Sequence, residues 1–154
     1  MFVLLAVAFW ALDPIGRAEK ARDQQRIADL EALRTALDQA LENEETELAK
    51  TFGVPSSTVG VDVSMGSSGG GWIAMDLADR FPELPKDPLN GRTFEDVLES
   101  SVLGEYQFIS DGKFYVIRTH LEYINNRTLY SQDGSDNSWY EVGSAPGMST
   151  YFGL

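Results

Sequence analysis

Residues 17–50 contain neither glycine nor proline and are rich in alanine, leucine, glutamate, arginine and glutamine. Apolar residues recur there at steps of three, four or seven, which predicts a helix that buries one stripe. The stripe consists of Ile27, Leu30, Leu33, Leu37, Leu41 and Leu48. A second stripe of small residues, which permits close approach of another helix or a sheet, consists of Ala28, Ala32, Ala36 and Ala40. At ~1.5 Å per residue this helix is about 50 Å long, so we expect it to project from a small head.

The first twelve residues carry no charge and are almost wholly apolar. As a helix they would cover ~18 Å, well short of the ~30 Å hydrocarbon core of a bilayer. Two interpretations stay open: a buried or interfacial start of a helix, or the C-terminal half of a longer apolar segment. Next, Asp13, Pro14 and Gly16 predict either a break near residues 13–16 or a new helix that Asp13 caps.

Charges are sorted along the predicted helix. Arg17, Lys20, Arg22 and Arg26 follow the apolar segment, and Glu42, Glu44, Glu45 and Glu47 lie at the far end. One interpretation is an ordinary solvated face. The other is that the basic residues lie beside membrane headgroups or pair with acidic residues of a neighbouring copy.

The remaining sequence predicts a small antiparallel sheet. Alternating apolar residues on both sides of Asp111-Gly112 indicate a β-hairpin within residues 105–123. A third strand is predicted around Trp139, Glu141 and Gly143, an edge strand around Val59, Val61 and Val63, and a short helix over residues 72–81. Because three strands with one apolar face need a cover, we expect an α+β fold. Its parts are a long helix over residues 1–50 and a head over residues 51–154.

Composition excludes most catalytic chemistry. The chain has 154 residues, no cysteine, one histidine and a formal net charge of -12. Thiol catalysis, thiolate metal sites and His-rich metal centres are therefore ruled out, and so acidic a chain is not expected to bind nucleic acid. No pair of carboxylates has a spacing that specifies hydrolysis, so we predict that the protein is not an enzyme and has no organic cofactor.

Three local features are candidate sites. Asp133 and Asp136 lie in a compact polar turn with the hard oxygen ligands that calcium prefers, and the alternative is an ordinary hairpin turn. Asn126 opens an Asn-Arg-Thr sequence that matches a glycosylation acceptor. His120 is interpreted as a structural or surface residue.

Five segments carry a resemblance to a known family: residues 11–14 (Ala-Leu-Asp-Pro), 21–30, 84–88 (Leu-Pro-Lys-Asp-Pro), 120–122 and 139–143 (Trp-Tyr-Glu-Val-Gly). In this order along the chain they resemble type IV pilins and the major pseudopilins of type II secretion. The resemblance implies a pilin-like fold, with a long N-terminal helix packed on a small antiparallel sheet head. It also implies a structural subunit whose helices bundle into a filament.

The same resemblance implies partners, sites and a location. The partners would be copies of the chain, an inner-membrane assembly machinery and, if a leader exists upstream, a prepilin peptidase. The subunit would wait in the inner membrane and end in a cell-surface filament. It also implies that calcium binds in the Asp133 loop and that pilins are often glycosylated. The residues implied for the filament core are Phe2, Val3, Leu4, Leu5, Val7, Phe9, Trp10, Leu12, Pro14 and Ile15.

The N-terminus departs from the family pattern. Family members have a cleaved leader and then an apolar stretch of ~20 residues with one glutamate near its start, and this chain shows neither the leader nor that glutamate. We therefore expect an N-terminally short form, either a truncated product or a gene start placed too late. The alternative functions are a membrane-tethered binding module that does not polymerise, with the helix as a stalk, and a type II secretion pseudopilin.

Overall fold

The computed structural model describes residues 13–43, 47–51, 53–60, 69–94, 102–135 and 138–154. Within them the chain forms a long helix, α1 (Pro14–Glu42), and a four-stranded antiparallel sheet. The strands are β1 (Ser56–Ser57), β2 (Tyr106–Ser110), β3 (Tyr115–Thr119) and β4 (Tyr140–Gly143), in that spatial order. Two 3₁₀ helices, Ile124–Ser131 and Met148–Phe152, lie on either side of β4 in the sequence. The predicted α+β class is confirmed.

Helix α1 begins with a local cap. The carboxylate of Asp13 accepts a hydrogen bond from the backbone N–H of Gly16 at 3.1 Å, and Pro14 is the first helical residue. Proline suits this position because its missing N–H would have no partner inside the helix. Of the two predicted arrangements at residues 13–16, the described residues therefore show the capped helix start.

The helix ends earlier than predicted. It stops at Glu42 rather than near residue 50, and the N–H of Thr51 already donates to the carbonyl of Ser110 at 2.9 Å. The acidic end explains part of this difference, because negative charge opposes the helix dipole at its C-terminus. Leu48 lies beyond the helix, but it is buried in the same core, with only 7% of its surface exposed.

The core forms between α1 and one face of the sheet. Leu30, Leu33 and Leu37 are fully buried, whereas Leu41 is partly buried and Ile27 is half-buried outside the core cluster. The sheet contributes alternate residues to this core, as the period of two in a strand requires: Tyr106, Phe108, Tyr115, Ile117 and Val142. The helix therefore serves as the predicted cover of the sheet.

The hairpin prediction is also confirmed. Strands β2 and β3 pair from Tyr106↔Thr119 to Ser110↔Tyr115, and Gly112 takes a left-handed φ of 91° in the turn. Strand β4 then pairs with β3, as expected for the segment around Glu141.

Two smaller predictions are wrong. Residues 72–81 form bends and a turn instead of a helix. Between Ile73 and Leu77 the odd-numbered residues are buried and Ala74 and Asp76 are exposed, and this period of two does not fit the one buried stripe of a helix. The edge strand falls on Ser56–Ser57 and ends before Val59. Val61 and Val63 lie outside the described residues.

In the part of the chain that the structure describes, no helix is both long enough and apolar enough to cross a membrane.

Candidate functional site

The first turns of α1 extend beyond the head. From Pro14 to Arg22 no residue is buried, and burial begins at Asp23. Ile15, in the first turn of α1, is 66% exposed. Of the residues proposed for a filament core, only Pro14 and Ile15 are described, and both lie on this exposed end. The others, Phe2, Val3, Leu4, Leu5, Val7, Phe9, Trp10 and Leu12, lie outside the described residues.

The alanine stripe is divided between two environments. Ala36 and Ala40 are buried beneath the sheet, whereas Ala28 and Ala32 are exposed on the helix surface. The sequence pattern is therefore only half explained by packing within this chain. Small exposed residues leave room for another backbone to approach closely.

A buried ionic cluster joins α1 to the head. The guanidinium of Arg26 is fully buried and donates to Asp87 twice, from Nε at 2.6 Å and from Nη2 at 3.0 Å. Its Nη1 lies 2.9 Å from Asp23 and 2.6 Å from Glu122. Bidentate pairing of this kind fixes orientation as well as distance, so Arg26 sets the direction in which α1 leaves the head.

Further contacts of Arg22 and Asp23 complete the cluster. Arg22 donates to Glu122 from Nε at 2.8 Å and from Nη2 at 2.5 Å. Asp23 accepts the backbone N–H groups of Glu122 and Tyr123, both at 2.9 Å. The guanidinium groups of two helix residues and the carboxylate of a third thus bind the segment after β3, which lies about a hundred residues further along the sequence. The carboxylate binds the backbone N–H groups of that segment.

Pairing keeps Arg26 and Glu122 charged in spite of their burial. Burial alone would lower the pKa of Arg26, but hydrogen bonds and charge from Asp87 and Glu122 raise it above the ordinary value. Burial would likewise raise the pKa of Glu122, and hydrogen bonds and charge from Arg22 and Arg26 outweigh it and lower the pKa. Without a partner of opposite charge, burying either side chain in its ionised form would cost a large amount of free energy.

An aromatic ring and a glycine complete the surroundings of Arg26 and its partner Asp87. The ring of Phe94 lies 4.9 Å from the guanidinium carbon, a cation–π distance. Gly104 lies beside Asp87, where an added Cβ would come within 2.5 Å of the Asp87 carboxylate. A side chain at position 104 would therefore displace the carboxylate that pairs with Arg26.

Two tyrosines of the sheet also contact carboxylates of α1. The hydroxyl of Tyr106 donates to Asp29 at 2.8 Å, and that of Tyr115 donates to Asp38 at 2.5 Å. Burial, with the neighbouring Asp29 charge, raises the pKa of Tyr106 far above its ordinary value. Both tyrosines remain neutral donors, so the helix is held along its length rather than at one end.

The predicted calcium loop is only partly described. Asp133 accepts hydrogen bonds from the backbone N–H groups of Ser135 at 3.1 Å and Glu141 at 2.9 Å, and burial raises its pKa. Asp136 lies outside the described residues. Among the residues that are described, no three His, Cys, Asp or Glu side chains come together as a metal site. Calcium binding stays a prediction.

The other two local candidates have partners within the chain. The side-chain nitrogen of Asn126, to which a glycan would be attached, donates to Asp23 at 2.9 Å. The ring of His120 stacks on Trp139 at 3.5 Å between centroids, and burial lowers its pKa to about 4. His120 is therefore neutral at pH 7 and packed against a ring, as a structural residue would be.

Sequence reasoning missed the ionic cluster, although a signal was present. Arg26 and Asp23 continue the spacing of the buried leucines backwards from Leu30, by four and seven positions respectively. Charged residues on an apolar stripe predict buried partners elsewhere in the chain. The pattern does not say which of the many carboxylates those partners are.

Comparison of the chain with protein-family models, curated proteins and solved structures finds no match.

Proposed function

We propose that this chain is a structural, non-catalytic subunit that polymerises into a type IV pilus-like filament through its N-terminal helix. The observation that carries the proposal is that α1 extends beyond its own head. Its first two turns are uncovered, Ile15 is 66% exposed, and twelve apolar residues precede it in the sequence. A contiguous apolar segment that continued from this uncovered end would be buried most simply against other molecules.

Identical copies are suitable partners for such a surface. A helix end that packs beside the helix of another copy makes a heterologous contact, and such contacts repeat without closing. The result is an open helical polymer with helices inside and heads outside. Exposed Ala28 and Ala32 support this arrangement because they let a second helix approach α1 closely.

The ionic cluster has a mechanical role in this proposal. In a filament, pulling on the head loads the junction between head and helix. Arg26 and Arg22 hold that junction through short, multidentate contacts with Asp87 and Glu122. A fixed angle between helix and head is also required if every copy is to fit the same helical lattice.

The proposal extends to location and partners by resemblance alone. The filament would lie at the cell surface, be fed from subunits in the inner membrane, and need an assembly machinery there. A short envelope-spanning fibre of a type II secretion system would use the same subunit design. Architecture of this kind is shared by several functions.

Negative-stain electron microscopy of purified full-length protein and of material sheared from expressing cells tests the proposal. We expect thin helical fibres that an antibody against the head labels along their length. Discrete dimers, with no fibres in either preparation, would contradict it and favour a binding module on a coiled-coil stalk.

A further inference from the structure

Strands β2, β3 and β4 each direct one tyrosine hydroxyl at a carboxylate of α1. The three pairs, which we call the tyrosine contacts, are Tyr106 with Asp29 at 2.8 Å, Tyr115 with Asp38 at 2.5 Å and Tyr140 with Glu31 at 3.4 Å. The chain has six tyrosines in all, so half of them contact the helix in this way.

The tyrosine contacts lie where the helix covers the sheet. Tyr106 and Tyr115 are fully buried, and Tyr140 is partly buried against the same core. Their partners on α1 extend from Asp29 to Asp38, nine positions apart, which is about 14 Å of helix at ~1.5 Å per residue. The contacts therefore hold α1 on all three long strands of the sheet.

Each tyrosine contact depends on a single proton. An ionised carboxylate can only accept a hydrogen bond, so the tyrosine hydroxyl must be the donor. If the hydroxyl loses its proton, two negatively charged oxygens face each other at hydrogen-bond distance, and like charges at this distance repel. Ionisation of the tyrosine thus turns an attractive contact into a repulsive one.

The charges around the hydroxyls do not compensate for that repulsion. Among the described residues, two carboxylates and one guanidinium act on each hydroxyl: Asp29, Asp87 and Arg26 on Tyr106; Asp38, Glu31 and Arg34 on Tyr115; Glu31, Asp133 and Arg34 on Tyr140. Both guanidinium groups already lie beside carboxylates, Arg26 beside Asp87 and Arg34 beside Asp38. A phenolate at any of the three positions would therefore meet an excess of negative charge.

The folded chain holds the three hydroxyl protons more tightly than an unfolded chain would. Burial, together with the neighbouring carboxylates, raises the pKa of Tyr140 to about 12 and raises the pKa of Tyr106 and Tyr115 still further. In an unfolded chain a tyrosine ionises near its ordinary pKa of about 10. The stability that the contacts contribute is therefore complete below about pH 10 and is lost as the pH rises through the folded-state values.

We propose that the tyrosine contacts form an alkaline-sensitive switch, which releases α1 from the sheet when the three hydroxyls give up their protons to hydroxide. The switch belongs to the folded subunit and does not depend on whether copies of the chain assemble. It also differs from the ionic cluster at Arg26, whose contacts use carboxylates and guanidinium groups and no tyrosine.

Urea denaturation of the full-length protein at a series of alkaline pH values tests the switch. For each hydroxyl that stays protonated only in the folded chain, the unfolding equilibrium constant should rise about tenfold per pH unit above about pH 10, and therefore up to about a thousandfold for all three. Tyr115→Phe should lower this rise by about tenfold per pH unit. Tyr123→Phe is the matched control and should keep the wild-type dependence, because the Tyr123 hydroxyl contacts the Asn125 side chain instead of a carboxylate.

A second variant removes the repulsion and keeps the hydroxyl. Asp38→Asn leaves an uncharged acceptor beside Tyr115, so the phenolate should form in the folded protein at a lower pH and the rise should again be less steep. Asp38 has a side chain that is 44% exposed, so this variant should fold even if a phenylalanine in the core were not tolerated. The same steepness in the wild-type protein, Tyr115→Phe and Asp38→Asn would overturn the proposal.

Spectroscopy shows whether ionisation and release occur together. Tyrosinate absorbs ultraviolet light where tyrosine does not, so the absorbance of the wild-type protein at about pH 11 should correspond to at least three fewer phenolates than in the urea-unfolded chain. At higher pH the missing phenolates should appear together with a change in the fluorescence of Trp72, which is 1% exposed with its ring centroid 6.2 Å from that of Tyr106. Full ionisation with native fluorescence would mean that the hydroxyls lose their protons without releasing α1, and would overturn the switch.

Discussion

Arg26 is the residue on which the junction between helix and head depends most. Together with Arg22 it faces three carboxylates, those of Asp23, Asp87 and Glu122. A buried ion pair adds little net stability over an apolar replacement, but removing one partner leaves uncompensated charge inside the protein. The cluster is therefore better explained by the fixed geometry it imposes than by the stability it adds.

Truncation of Arg26 should destabilise the head strongly. We expect Arg26→Ala to lower the free energy of unfolding by about 3–5 kcal/mol, because the carboxylates of Asp23 and Asp87 are left buried without their counter-ion. Urea denaturation followed by tryptophan fluorescence measures this. Arg34→Ala, which removes a side chain that is 46% exposed, should cost less than about 1 kcal/mol. Equal losses in the two variants would contradict the role given to burial.

The cluster should also make the folding stability fall at acidic pH. The pKa of Glu122 is lowered below its ordinary value of 4.5 in the folded chain, so the stability it contributes is complete above pH 4.5. That contribution is lost as the pH falls through the lower, folded-state pKa. Asp29 and Asp133 act in the opposite direction, because burial raises the pKa of each.

A variant isolates the contribution of Glu122 from these opposing groups. We expect Glu122→Gln to be less stable than the wild-type protein at pH 7, and the difference to narrow as the pH falls below 4.5. Unfolding free energies of both proteins, measured from pH 7 to pH 3, give that difference. A gap that stays constant with pH would show that the carboxylate is not ionised in the junction.

At the scale of elements, the sequence predicted the long helix, its capped start and the hairpin, but neither the C-terminal end of α1 nor the structure of residues 72–81. The stripe through Leu30, Leu33 and Leu37 and the hairpin at Asp111-Gly112 follow from repeats in the local sequence. The end of α1 at Glu42 depends on where the next segment contacts β2, and the path of residues 72–81 depends on the shape of the core that buries Ile73, Met75 and Leu77. Both features depend on contacts between residues that are far apart in the sequence, so neighbouring residues alone do not predict them.

The candidate site shows the same division. The alanine spacing indicated a surface for close packing, and the structure shows that Ala28 is exposed whereas Ala36 is buried. Only the position of the sheet decides which alanines remain exposed. The pairing of Arg26 with Asp87 spans 61 positions, and one sequence gives no means of selecting that carboxylate.

The cap at Asp13 provides a test confined to one end of an element. Asp13 has a left-handed φ of 34° and accepts the N–H of Gly16. We expect Asp13→Ala to destabilise the start of α1 by about 0.5–2 kcal/mol, seen as faster amide exchange at residues 16–22. Asp13→Asn keeps the acceptor and tolerates the φ value, so exchange should stay slow. Exchange as slow in Asp13→Ala as in the wild-type protein would mean that the cap is dispensable.

At the scale of the whole molecule, folding and assembly use opposite sides of one helix. The side of α1 toward the sheet holds Leu30, Leu33 and Ala36 in the core, and the opposite side exposes Ala28. Substitutions on the two sides should therefore fail in different ways. This separation makes it possible to distinguish a protein that cannot fold from one that cannot polymerise.

Ala28 and Ala36 form a matched pair for that test, two positions of the same residue type eight residues apart on α1. We expect Ala28→Trp to leave the unfolding free energy nearly unchanged and to abolish fibres, because the bulk keeps a second helix at a distance. Ala36→Trp should instead destabilise the head by about 1–3 kcal/mol through overpacking. Denaturation curves and negative-stain images of both variants give the two readouts. Normal fibres from Ala28→Trp would show that copies do not meet at this face, and the filament contact would then have to lie on the uncovered turns around Ile15.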